Sequence, residues 1–186
     1  MDDQIEEVHA FCFEGVVENE MRDSWCVQDD AFDAEILRRF GEVHRRASTG
    51  ELDAGTETPK SLLALVIVLD QFSHNLIYCS TAAFANDPKA LATAELAIEK
   101  DRDRKFRVRD RVFYYVPHEH SEDLDVQSRC FGLFSKTKMG TEYAEAHMKL
   151  IDRFVRFPHR NAVLGRANTP QEDEYLAQPR EGFEAG

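Results

Sequence analysis

The sequence has few cysteines, no long apolar run and no excess of positive charge. Its four cysteines, at positions 12, 26, 79 and 130, form no pair with the two-residue spacing of a zinc or redox site. Isolated, reduced thiols are typical of the cytosol. The N-terminus begins with acidic residues, and no apolar run reaches the about 20 residues that span a bilayer. We therefore predict a cytoplasmic, soluble protein with no membrane partner.

The shortage of basic residues makes nucleic acid an unfavourable binding partner. The 186-residue chain carries 23 Lys and Arg against 35 Asp and Glu, for a formal net charge of −12. A field of that sign repels phosphate backbones, so we expect no nucleic-acid partner. Nothing in the sequence assigns an oligomeric state.

Several short motifs are also missing. The chain has no Gly-x-Ser-x-Gly nucleophile elbow, no phosphate-binding glycine loop and no dinucleotide glycine pattern. It has no alternating strand pattern and no Asn-Gly or Asp-Gly hairpin. These absences favour an all-α protein and leave any catalytic residue unknown.

What the chain does contain is one strongly apolar segment. Residues 62–69 include no polar side chain, and they are followed by Asp70, Gln71, His74 and Asn75. A helix that is apolar on every side must be covered by other elements. Thr58-Pro59 is a helix start with Pro at the first position. We therefore predict a central helix over 59–77 that carries polar groups at its C-terminal end.

Caps and three-to-four-residue apolar spacing predict further helices over 2–13, 29–50, 87–101, 107–116, 121–134, 142–157 and 170–177. Pro117 is predicted to stop one helix and Ser121 to cap the next. Trp25 is predicted to fill the core from a loop. The interpretation is a single all-α domain over 1–186, with about eight antiparallel helices around helix 59–77 and a flexible tail after about residue 179.

Three polar clusters lie at helix ends. In the first, Asp70 and His74 share a helix face, so Asp70 is predicted to accept a hydrogen bond from His74. The alternative is a capped helix end whose buried polar groups are satisfied locally.

The second cluster is His118, Glu119, His120 and Glu122. Imidazole and carboxylate together suit zinc or iron, but the spacing of zinc proteases is absent. The alternative is a structural turn beside a helix start. We assign no metal ligand and no cofactor from the sequence.

The third cluster is Arg156, His159, Arg160 and Asn161. Guanidinium groups bind carboxylate or phosphate in a bidentate way. The alternative is an internal lock in which Arg160 pairs with Asp70, Glu119 or Glu122.

The residues of these clusters resemble the motifs of a known family. The matching stretches are Asp70-Gln71-Phe72 with Asn75, residues 119–124 and residues 156–166. They resemble a mainly bacterial family catalogued as domain of unknown function 924. The resemblance implies a tetratricopeptide-like superhelical fold and no accepted reaction, substrate or cofactor. It marks as motif positions Asp70, Gln71, Asn75, Glu119, His120, Glu122, His159, Arg160 and Asn161.

The chain departs from the family pattern at five positions: Cys12, Cys26, Ser73, His74 and His118. His74 stands where the family usually has Arg, so a permanent charge is replaced by one that titrates near neutral pH.

Three functions are compatible with these residues. The leading hypothesis is a binding protein in which the three clusters converge on a polar pocket for a small anionic or polar ligand. The alternative is a tetratricopeptide-like module that binds a protein partner. A metal-dependent hydrolase is the third possibility.

Overall fold

The computed structural model describes residues 3–15, 29–54, 58–77 and 80–178. Within those residues every regular element is helical and there is no strand. The predicted all-α class and approximate number of helices are confirmed. Trp25, Cys26, Cys79 and the tail after 179 fall outside the described residues. The helices are α1 Asp3–Phe13, α2 Asp30–Ser48, α3 Pro59–Leu69, α4 Gln71–Leu76, α5 Asp87–Glu99, α6 Val108–Arg111, α7 Val116–Glu119, α8 Leu124–Thr137, α9 Thr141–Phe154 and α10 Pro170–Leu176.

Helix α3 is the centre of the molecule. All of its residues from Ser61 to Leu69 are buried, and the helix packs against α1, α2 and α5. Its start is fixed by a capping box, in which Thr58 and Ser61 each accept the other's backbone N–H. Tyr114 adds a hydrogen bond from its hydroxyl to the Pro59 carbonyl, at 2.6 Å. The apolar sequence thus produces a buried rod with an anchored N-terminus.

The predicted helix over 59–77 is broken at Asp70. Asp70 has φ −94° and ψ −74°, and it separates α3 from the short helix α4. The Ser73 hydroxyl donates to the Leu69 carbonyl at 2.7 Å, which satisfies one acceptor beside the break. The break lies where the sequence changes from apolar to polar, and it sets the direction in which the Asp70 carboxylate points.

Two local predictions between residues 107 and 124 are wrong. Pro117 does not stop a helix; it lies in the first turn of α7, where its missing N–H costs nothing. Ser121 does not cap α8, because the cap is Asp123, whose carboxylate accepts the N–H groups of Asp125 and Val126. The result is a tight turn, rather than a helix start, at residues 120–123.

The C-terminal third forms a smaller cluster over the end of α9. Leu150, Ile151 and Phe157 are buried there, with Phe154 and Tyr175 packed against them. The predicted capping box of α10 is confirmed, since Thr169 and Glu172 exchange hydrogen bonds. Among the described residues, no helix has the length and apolar character needed to cross a membrane.

Candidate functional site

Asp70 is the innermost acidic group of the candidate site. Its side chain is 1% exposed, and it accepts hydrogen bonds from Gln71 Nε2 at 2.6 Å and His120 Nδ1 at 2.8 Å. Burial alone would raise the pKa of this carboxyl, but the charge and hydrogen bond of His120 keep it below its usual range. The predicted partner was His74, and that prediction is wrong. The break in the helix directs Asp70 towards the turn that follows α7 instead.

His120 forms the other half of this pair. Burial opposes its charge, but the Asp70 carboxylate raises the pKa of the imidazole above its ordinary value. The buried Asp70 carboxylate therefore favours the charged form of the His120 imidazole. Its side chain is still 18% exposed, so it can be reached from solvent.

His74 lies beside His120, with the two ring centroids 4.6 Å apart. Its Nε2 is 3.3 Å from Oδ1 of Asp87, the first residue of α5. Sequence reasoning missed Asp87 as a site residue, because Asp before Pro was interpreted only as a helix start. Nothing in the neighbouring sequence distinguishes an Asp that begins a helix from an Asp that also belongs to a site.

Arg160 completes the cluster from the one-turn 3₁₀ helix Pro158–Arg160. Its Nη1 donates to the His120 carbonyl at 3.0 Å and to Asp87 Oδ2 at 3.4 Å. Its guanidinium stacks on two aromatic rings, with the centroids of Phe84 and Phe157 at 4.5 and 4.6 Å. Burial lowers the pKa of Arg160, although a guanidinium stays charged in proteins.

Several buried polar atoms in this region have no hydrogen-bond partner, among them Nε of Arg160 and Oε1 of Glu119. Burial raises the pKa of Glu119 to about 8, so this motif carboxyl is mostly neutral at pH 7. Unpaired buried polar atoms are uncommon in folded proteins, and strongly shifted pKa values favour a functional site.

Other predicted site residues do not join the cluster. Asn75 donates to Asp33 at 2.7 Å, and Asn161 donates to Asn168 at 2.8 Å. Glu122 accepts from the Phe157 backbone N–H and from both terminal nitrogens of Arg166. His159 lies beside Phe157, with ring centroids 5.4 Å apart. Gln71 reaches the site only through its hydrogen bond to Asp70.

The predicted internal lock, in which Arg160 pairs with Asp70, Glu119 or Glu122, is wrong, because other pairs hold this segment. Glu122 pairs with Arg166, and Arg156 pairs in a bidentate way with Glu172. Arg160 pairs with Asp87 rather than with Asp70, Glu119 or Glu122. Three ion pairs, Glu122–Arg166, Arg156–Glu172 and Arg160–Asp87, therefore hold the segment that carries Arg160 in place.

Of the possible metal ligands that the sequence suggested within residues 118–122, only His120 joins a group of potential ligands. His118 is buried, with its Nε2 3.9 Å from Glu95, and burial lowers the pKa of its imidazole to about 4. The one group of potential ligands found together among the described residues is Asp70, His74 and His120, whose ligand atoms all lie within 4.8 Å of one another.

Comparison with known proteins identifies the family. The model of the family described as "Bacterial protein of unknown function (DUF924)" matches residues 8–180. The chain belongs to the DUF924 family. The resemblance predicted from the helix-end motifs is thereby confirmed.

This DUF924 protein is also similar to a solved structure of a protein of unknown function from Agrobacterium tumefaciens. The two share 33% sequence identity, with a TM-score of 0.88 over 96% of this chain and 100% of that chain. None of the curated proteins matches the sequence. The comparisons therefore give the DUF924 protein a family and a fold, and any function must be argued from its residues.

Proposed function

We propose that this DUF924 protein binds a small anionic ligand, such as a carboxylate or phosphate, beside Arg160 and His120. The observation that carries the proposal is the buried Arg160 guanidinium with no acceptor for its Nε. The Phe84 and Phe157 ring centroids lie 4.5 and 4.6 Å from its Cζ, and the Nε–H is the donor left for a ligand. Planar, desolvated guanidinium groups recognise carboxylate and phosphate well.

The charge balance of the cluster supports a small anion. Asp70 favours the charged form of His120, and Asp87 lies between His74 and Arg160. The two carboxylates thus each lie beside a basic side chain of the cluster. A polyanion gains little from such a balanced site, whereas a single carboxylate or phosphate can replace the long Asp87 contact of Arg160, at 3.4 Å.

Access also supports ligand binding. The side chains of His74 and His120 are 26% and 18% exposed, whereas that of Arg160 is 9% exposed. A ligand arriving from solvent meets the two imidazoles first and the guanidinium last. Such partly buried donors are typical of sites where a few polar groups fix a small molecule.

The test is thermal unfolding of the full chain with sodium phosphate or sodium succinate, against sodium chloride at matched ionic strength. The protein is first passed over a chelating resin to remove metal. Ligand at about 100 times its Kd stabilises a folded protein by about 2.7 kcal/mol, so Tm rises with ligand concentration. We expect this rise for the native protein and its loss in Arg160→Gln.

Arg156→Gln is the matched control, because Arg156 belongs to the same motif but is bound by Glu172. This variant loses stability without ligand but keeps the rise in Tm with ligand. An equal rise in Arg160→Gln and the native protein would overturn the proposal, as would no rise with either anion. The protein-binding module and the hydrolase stay predictions, as do the tetratricopeptide-like arrangement and the cytoplasmic location.

A further inference from the structure

We propose that Asp70, His74 and His120 form a binding site for a divalent transition-metal ion of the zinc class. The ligand atoms of these three side chains all lie within 4.8 Å of one another. Two imidazoles and one carboxylate are a donor set that suits Zn²⁺ and Fe²⁺ and leaves a further position open. The inference goes beyond anion binding, because it concerns a different ligand held by different atoms.

The backbone brings these three ligands together from two directions. Asp70 stands at the junction before α4, and His74 lies on α4 four residues further along, where its backbone N–H donates to the Asp70 carbonyl at 3.4 Å. His120 comes from the turn after α7 and is 50 residues further along than Asp70. Because Asp70 is buried and α3 is the rigid centre of the fold, the first ligand is fixed before a metal arrives.

The distances are close to those that a metal requires. Ligand atoms at about 2.0–2.2 Å from Zn²⁺ in a tetrahedron lie roughly 3.4 Å apart. His120 Nδ1 and Asp70 Oδ1 are already 2.8 Å apart, and a proton now joins them. For a cation to replace this proton, His120 Nδ1 and Asp70 Oδ1 must move slightly apart, and His74 must move slightly closer to them.

The surrounding charges also favour a cation. Two carboxylates, Asp70 and Asp87, lie in this cluster beside one permanent cation, the Arg160 guanidinium. Asp87 lies 3.3 Å from His74 Nε2, where a carboxylate can orient the ring as an outer partner of a metal-bound histidine. A bound dication would reverse the net charge of the cluster.

The neighbouring His118 and Glu122 do not compete for this role. His118 lies against Glu95, and Glu122 is held by Arg166 and the Phe157 backbone. The metal site therefore takes only one residue from the His118–Glu122 cluster, and its other two ligands come from α4 and the junction before it.

The experiment is a titration of the resin-treated full chain with Zn²⁺ in competition with a chromophoric chelator, in a buffer without phosphate or carboxylate. We expect one ion per chain and a Kd of about 10 μM or tighter. This Kd corresponds to a binding free energy of at least about 7 kcal/mol in magnitude. His74→Gln and Asp70→Asn should each weaken binding by about tenfold or more.

His9→Gln is the control, because His9 lies on α1 and packs against Phe13 and Phe106 rather than the cluster. It should bind Zn²⁺ like the native protein. Far-ultraviolet circular dichroism verifies that each variant is folded. If Asp70→Asn fails to fold because Asp70 is buried, His74→Gln still tests the proposal, since His74 is partly exposed.

The proposal is overturned if the native chain binds no Zn²⁺ at about 1 mM. A Kd of about 1 mM corresponds to a binding free energy of only about 4 kcal/mol in magnitude. It is equally overturned if His74→Gln binds Zn²⁺ as tightly as the native chain. Anion binding is measured without metal, and metal binding is measured without the anions. Failure of one proposal is therefore distinguishable from failure of the other.

Discussion

The ion pair between Glu122 and Arg166 illustrates how single side chains hold the candidate site. Arg166 donates to both carboxylate oxygens of Glu122, at 2.7 and 2.9 Å, and the Phe157 backbone N–H donates at 2.8 Å. Burial alone would raise the pKa of Glu122, but these hydrogen bonds keep it below its usual range. The pair thus connects the turn that carries His120 to the segment that carries Arg160.

We predict that Glu122→Gln lowers the free energy of unfolding by about 1–3 kcal/mol, because hydrogen bonds to a charged group are lost in a partly buried place. The measurement is urea unfolding at pH 7. Glu145→Gln is the control, since Glu145 pairs with Lys149 on the surface, where their side chains are 46% and 68% exposed. The control should change stability by less than about 0.5 kcal/mol. Equal effects of the two substitutions would contradict the structural role of Glu122.

The residues of the site could be predicted only in part. Asp70, His120 and Arg160 were found because their motifs stand at helix ends. Asp87 was missed because its contacts to His74 and Arg160 cross 13 and 73 residues of sequence. Such contacts depend on how helices pack, which local spacing does not encode.

Among the elements, α8 offers a clear test of which residue begins a helix. Asp123 accepts two backbone N–H groups of the first turn, whereas the Ser121 hydroxyl accepts only the Asp123 N–H, at 3.2 Å. We predict that Asp123→Ala lowers the free energy of unfolding by about 1 kcal/mol, the usual cost of a lost cap. Ser121→Ala is the comparison, and thermal or urea unfolding is the measurement.

If Ser121→Ala cost more than Asp123→Ala, the assignment of the cap would be incorrect. Both side chains lie at the surface end of α8, so the comparison is not complicated by a change in the core. The same turn carries His120. The two variants therefore also test how far the conformation of this turn depends on the cap of α8.

Most helices could be predicted from the sequence because their ends carry chemical signals. Thr58 and Thr169 begin α3 and α10 through capping boxes, and Asp29 begins α2. The break at Asp70 had no such signal, since both sides of it are helical in sequence. Pro117 was ambiguous, because proline is compatible with the first turn of a helix as well as with the residue after its end.

For the whole molecule, the buried His147 contributes to the dependence of stability on pH. Burial lowers the pKa of His147 to about 4, and the nearby charges of His120 and Arg160 act in the same direction. Its Nδ1–H donates to the Tyr143 carbonyl at 2.9 Å, so the neutral ring fits its place. Unfolding returns the pKa to about 6.5, so the unfolded chain binds more protons between these values.

We therefore predict that the contribution of His147 to stability is complete above pH 6.5 and is lost as the pH falls towards 4. The loss is about 3 kcal/mol at most, from the shift between the two pKa values. The measurement is urea unfolding from pH 7 to pH 4 of the native protein and His147→Leu. The variant should show a shallower decline, and parallel curves would contradict the prediction.

The stacking of Arg160 between Phe84 and Phe157 has a consequence for the order of folding. The two rings belong to segments 73 residues apart, so Arg160 reaches Phe84 and the Asp87 carboxylate only when both segments are in place. During synthesis, the first half of the chain emerges from the ribosome with Asp70 and Asp87 but without His120 or Arg160. Contacts between distant segments form late because the loop between them must first be closed. The candidate site is thus completed last, and a chain truncated before residue 160 would lack the Arg160 partner of Asp87 while keeping His120 beside Asp70.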